Sequence, residues 1–145
     1  MRTSSGMKNI FEHHFTWFMN HRPQEEMFRK KAVILTNAAG AGMDKAGKDI
    51  KVNLAFWGIS NIYSLSLQSI ASSWKQVPDK NMKKFIKTTE DLAKKVNKSQ
   101  AGVSFKTKGL FYIMRMMYIN NQGHPRDAQY WEEKGWIGKE RPWKP

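Results

Sequence analysis

The sequence predicts an α/β fold in which a short parallel sheet is flanked by helices and followed by a helical extension. Three observations carry this. An unbroken apolar run, Ala32-Val33-Ile34-Leu35, feeds directly into Thr36-Asn37-Ala38-Ala39-Gly40-Ala41-Gly42, as a buried parallel strand feeds a small-residue loop. Residues 61 to 68 alternate Ile62, Ser64, Ser66 and Gln68 with Tyr63, Leu65 and Leu67, the period of a strand with one well-buried face. Helical spacing then fills the stretches before, between and after these two segments, and strand-helix alternation implies a parallel layer.

The first helix is expected from Met7 to Met19, where Met7, Ile10, Phe11, Phe15, Phe18 and Met19 recur at three and four, with Ser4 or Ser5 as cap. Pro23 pushes the residue before it out of the α region, so this helix ends near Asn20. Between the strands, residues 43 to 57 carry Ile50, Leu54 and Trp57 at helical spacing, and Gly58 suits the position just past a helix end. A longer helix runs from Asp79, which follows Pro78, to about Asn97, with Met82, Phe85, Ile86, Leu92, Ala93 and Val96 on one side and most lysines elsewhere. Residues 99 to 145 change character: glycines punctuate them, and tryptophans are spaced through a polar tail. One helix fits Leu110, Ile113, Met114 and Met117, and a shorter one starts at Pro125 and holds Tyr130 and Trp131. Residues 1–98 therefore read as half of a parallel α/β domain, because two strands are fewer than such a sheet needs, and 99–145 as an appended segment.

The chain has 145 residues, 25 Lys and Arg against 12 Asp and Glu, and no cysteine. Length sets one domain as the ceiling, and 40% hydrophobic residues exclude a disordered basic tail. Without Cys there is no disulfide framework, thiolate zinc site, cysteine-held iron–sulfur cluster or cysteine nucleophile. The start, MRTSSGMKN, lacks the apolar core of a secretory signal, so a cytoplasmic location is expected. The most apolar late stretch, Gly109 to Ile119, contains Arg115 and falls well short of the ~20 residues of a spanning helix.

Residues 75 to 145 hold sixteen basic and seven acidic groups, against nine and five before them. Such a surplus suits nucleic acid, an anionic membrane or a phosphorylated cofactor alike. The lysine-rich helix lacks interleaved aromatics for base stacking, so it reads as a solvated face rather than a nucleic-acid site.

The loop TNAAGAG is the sharpest local signal: ligands of open α/β sheets sit beyond strand carboxyl ends, where small residues let backbone amides approach a ring or phosphate. An ordinary strand-to-helix turn uses the same residues. Two named patterns fail here. Lys45 stands where the dinucleotide fingerprint needs a third small residue, and Asp49 replaces the hydroxyl that a phosphate loop uses on magnesium. His13, His14 and His21 do not make a metal set, since His14 and His21 are seven residues apart, too far for one ion. No nucleophile elbow, carboxylate pair or Ser/His/Asp set follows from spacing.

Taken together, SSGMKNIFEHHFTWFMNHRP, KKAVILTNAAGAGM, FWGISNIYSLSL, KTKGLFYIMRMM, EEKGW and RPW resemble the flavodoxin-like NAD(P)H-dependent FMN oxidoreductases over nearly the whole chain. The resemblance implies a partial flavodoxin-like parallel sheet, its last two strands with their helices, and thus the carboxyl-terminal half of such a protein. By it, Arg2 to Gly6, with Ser4, Ser5 and Gly6, match the end of the third-strand loop, and Thr36, Asn37, Ala38, Ala39, Gly40, Ala41 and Gly42 the fourth, both against the flavin ring. FMN is the implied cofactor and NAD(P)H the implied substrate. Nothing corresponds to the first three strands and their phosphate loop, so the chain by itself is expected to hold FMN weakly and to self-associate or seek a missing half. The alternatives are a basic nucleic-acid-binding module and a non-catalytic interaction protein. No acid/base pair is required for the flavin reading, because hydride passes between stacked rings and the protein supplies shape and solvent exclusion.

Overall fold

The computed structural model of the chain describes residues 3–71, 73–99 and 102–144. Among them, five α-helices and two parallel strands make a mixed α/β fold. The strands are β1 (Lys31–Ala38) and β2 (Asn61–Gln68), paired in register from Lys31 opposite Asn61 to Ala38 opposite Gln68. The helix α2 (Met43–Phe56) connects them.

Before β1, α1 (Ser5–His13) starts at Ser4, whose hydroxyl accepts the Met7 amide at 3.4 Å. It is shorter than its apolar spacing predicts. His14 leaves helical geometry and a 3-10 turn, Phe15–Trp17, follows. The reason is aromatic packing: His14, Trp17 and Phe18 turn their rings onto Trp57, with Trp17 and Trp57 centroids 5.4 Å apart. A continued helix would carry these rings around the axis instead. Met19, fully buried, then bonds its amide to the Phe56 carbonyl at 2.7 Å and fastens this segment to the end of α2.

Ala32, Ile34, Thr36 and Ala38 share one face of β1, and Thr36 packs 4.0 Å from the Cβ position of Gly47, so α2 covers that face. The other face differs from expectation. An unbroken apolar strand predicts burial on both sides, yet Val33 is exposed and Leu35 is 69% exposed. The helix on that side, α3 (Asp79–Lys98), packs mainly on β2, leaves Val33 and Leu35 largely open, and keeps its own apolar stripe only half-covered. Lys31 caps it, its ammonium donating to the Val96 and Ser99 carbonyls at 2.7 and 3.0 Å.

The largest side chains gather elsewhere. Phe111 and Tyr118 of α4 (Phe105–Ile119), Trp131 of α5 (Pro125–Glu133) and Trp136 enclose Met19 and Phe28 in one buried cluster. Segments from both ends of the chain thus share a core. Phe28 presses on Gly58, whose φ of +100° lies in the left-handed region and whose missing Cβ would stand 3.0 Å from the Phe28 ring. Gly58→Ala is expected to cost about 1–3 kcal/mol, from left-handed strain plus crowding of a core ring. Urea unfolding followed by tryptophan fluorescence measures it; an unchanged midpoint would show that the Trp57-Gly58-Ile59 corner relaxes freely.

Candidate functional site

The sequence-predicted residues divide into those that meet and those that do not. Thr3 anchors the approach to α1, its hydroxyl lying 3.4 Å from both the Ala46 carbonyl and an Asp49 carboxylate oxygen. That contact sets the start of α1 beside the carboxyl end of β1. There Ser4 joins Thr36 and Asn37 around a cleft of about 240 Å³, closed by Met7, Met43 and Ile50. Two segments more than thirty residues apart in sequence therefore come together where an open α/β sheet takes its ligands.

Ser5 and Gly6 lie on the exposed first turn of α1 and line no described cleft, and Arg2 lies outside the described residues. The expected loop is also shorter, because Thr36, Asn37 and Ala38 belong to β1. Only Ala39, Gly40, Ala41 and Gly42 form the turn. Ala39 to Ala41 are exposed, Gly40 has open space where a Cβ would stand, and Gly42 opens α2 at φ +100°. This turn is held from the β2 side: Ser69 donates its amide to the Ala38 carbonyl at 3.2 Å, and the Gln68 amide reaches the Ala39 carbonyl at 3.4 Å. Thr36 spends its hydroxyl on Ser66 at 2.9 Å, whereas the exposed Asn37 side chain makes no bond among the described residues.

The walls of the cleft are methionine, leucine, isoleucine, alanine and small hydroxyls with the Asn37 amide among them, the starts of α1 and α2 reach it at Ser4 and Met43, and no Lys or Arg lines it. Asn37 also borders a larger hollow, about 510 Å³, between Leu35, Leu65, Leu67 and Phe85 of α3. The sequence reading missed this hollow. Its signal was present in the apolar Leu35, which stays 69% exposed beside it.

Among the described residues no three His, Cys, Asp or Glu side chains gather around a metal position, and no helix is long and apolar enough to cross a membrane. His21 has a different partner: its Nδ1 lies 2.9 Å from a carboxylate oxygen of buried Asp127, whose other oxygen faces Arg22 Nε at 3.1 Å. Around that pair, Tyr118, Trp131 and Tyr130 donate to the carbonyls of Asn20, His21 and Pro23 at 2.6, 2.6 and 2.8 Å. This clamp fixes the turn that follows α1. No family model, curated protein or solved structure matches the chain.

Burial pushes the Tyr118 phenol up to about 12, with the Asp127 charge adding to it, and burial also pushes Tyr130 to about 12, helped by Glu26 and Glu25. Tyr112 goes the other way, lowered chiefly by the hydrogen bond from Arg141. A folded-state value above that of the unfolded phenol, near 10, stabilises fully below pH 10, and the contribution disappears as pH rises towards 12. Ultraviolet titration of the phenolates is expected to show Tyr112 ionising first and Tyr118 and Tyr130 ionising together with unfolding above pH 10. Early ionisation of all tyrosines with the tryptophan signal intact would contradict the clamp.

Proposed function

We propose that the chain is the ring-contacting part of a flavodoxin-like, FMN-dependent NAD(P)H oxidoreductase. The observation that carries this reading is the cleft where Ser4 meets Thr36 and Asn37 at the carboxyl end of β1. The flavin, when bound, supplies the hydride chemistry. The chain's own part is positional. Asn37 offers an amide to the ring edge and Met7 and Met43 keep water from one side, while the small, exposed residues Ala39 to Gly42, in the turn that follows β1 outside the cleft's lining, let the backbone approach the ring plane.

Because the cleft presents no cation, phosphate adds little to affinity here. Charged hydrogen bonds to a phosphate are worth roughly 1.5–3 kcal/mol each, and two or three of them separate micromolar from sub-nanomolar binding. Calorimetric titration of the chain is therefore expected to give FMN and riboflavin dissociation constants weaker than micromolar and within about tenfold of each other. Ala39→Leu and Gly40→Leu should abolish both signals while leaving the helical circular dichroism unchanged, since both residues stand outside the core. Sub-micromolar FMN binding with riboflavin excluded would show a phosphate site that this reading lacks. Flavin binding unchanged in both variants would remove the turn after β1 from the account.

A further inference from the structure

The helix α4 carries apolar residues on both of its faces. Its inner face gives Phe111 and Tyr118 to the core with Leu110, Met114 and Met117 beside them. Its outer face repeats at intervals of four and three: Phe105, Gly109, Tyr112, Met116 and Ile119. That is the spacing of a helix-pairing seam, about 21 Å long at 1.5 Å per residue. The seam stands open, with Phe105 91% and Met116 51% exposed, and Ile113 at 63% widens it on one flank. A helix that is apolar all round is ordinarily a buried one.

We propose that this outer face is an interface between two copies of the chain, paired antiparallel about a two-fold axis at Tyr112. The seam complements itself under that operation. Met116 of each copy meets Gly109 of the other, a large side chain over a position where nothing lies within 4 Å of the missing Cβ. Phe105 meets Ile119, and the Ile113 flanks face each other across the axis, as an isologous contact requires. The size suffices: at about 150–250 Å² for an aromatic side chain, the exposed seam comes to roughly 500 Å² per copy. Two copies thus bury on the order of 1,000 Å², where specific interfaces begin.

Of the cations beside the seam, Arg115 is drawn off it, donating to the carbonyls of Trp136, Ile137 and Gly138. Two others rest on its rings: the Lys108 ammonium sits 5.8 Å from the centroids of both Phe105 and Trp143, and the Arg141 guanidinium lies 5.2 Å from the Tyr112 ring while its Nε donates to the phenol oxygen. No acidic residue lies on α4, so the charge that remains repels between copies and is screened by salt. Added salt therefore strengthens this association, whereas it weakens attachment to an anionic lipid surface or a nucleic acid.

Sedimentation velocity from 1 to 100 µM, at 0.1 and 0.5 M NaCl, tests the proposal on the wild-type chain, Gly109→Leu and Leu35→Lys. A dimer is expected that tightens in high salt, loosens at least tenfold in Gly109→Leu with an unchanged far-ultraviolet spectrum, and is untouched by Leu35→Lys. Because the chain has no cysteine, Tyr112→Cys should also crosslink to itself on mild oxidation, while Lys87→Cys on α3 should not. A monomer at 100 µM overturns the proposal, as does association lost in Leu35→Lys but kept in Gly109→Leu. A monomer that binds phosphatidylserine vesicles through Met116 gives the face to lipid and equally overturns it. Should Gly109→Leu fail to fold, absence of the Tyr112→Cys crosslink decides against the dimer.

Discussion

Three backbone carbonyls decide how this chain closes. Asn20, His21 and Pro23 lie in a turn whose proline and aromatic neighbours draw it into the interior, and their oxygens are left without helix or sheet partners. A buried carbonyl without a donor costs about 1–3 kcal/mol, so the turn enters the core only where donors await it. Tyr118, Trp131 and Tyr130 are those donors, each bringing a large apolar ring together with one polar atom. Asp127 completes the arrangement by taking His21 and Arg22 on its two oxygens. A carboxylate buried this deeply is tolerable because both oxygens are partnered.

The consequence runs back along the chain to the cleft. With the turn fixed, Met19 is held against the end of α2, and the aromatic residues before it close over Trp57. The α1 helix is then constrained at both ends, by this packing at its carboxyl end and by Thr3 on α2 at its start. That is what keeps Ser4 beside Thr36 and Asn37. The geometry of a cleft built where α1, β1 and α2 meet thus depends on hydrogen bonds made about a hundred residues later.

Much of the local architecture is legible in the sequence. Period-two alternation gives β2 its observed limits, and the Pro78-Asp79 start and lysine-sided periodicity give α3 to within a residue. The failures share a cause. Apolar spacing predicts α1 through Met19, but the rings at 14, 17 and 18 gain more from Trp57 than from continuing the helix. The apolar run of β1 predicts two covered faces, and nothing local tells that α3 packs mainly on β2 and leaves Val33 and Leu35 open. Ser4 with Thr36 and Asn37 was legible through the resemblance, while the clamp was not. No short-range pattern links Tyr118 to Asn20 or Trp131 to His21.

The sheet and the C-terminal helices are therefore expected to behave as one cooperative unit, although the strands and the tryptophan cluster look separable along the sequence. Native-state hydrogen exchange on the chain and on Trp131→Phe tests this directly, since the substitution removes the indole donor to His21 while keeping an aromatic ring. The account predicts that protection falls together in α1, β1, α4 and α5, by a similar free energy in each. Loss confined to α4 and α5, with α1 and β1 protected as before, would contradict it.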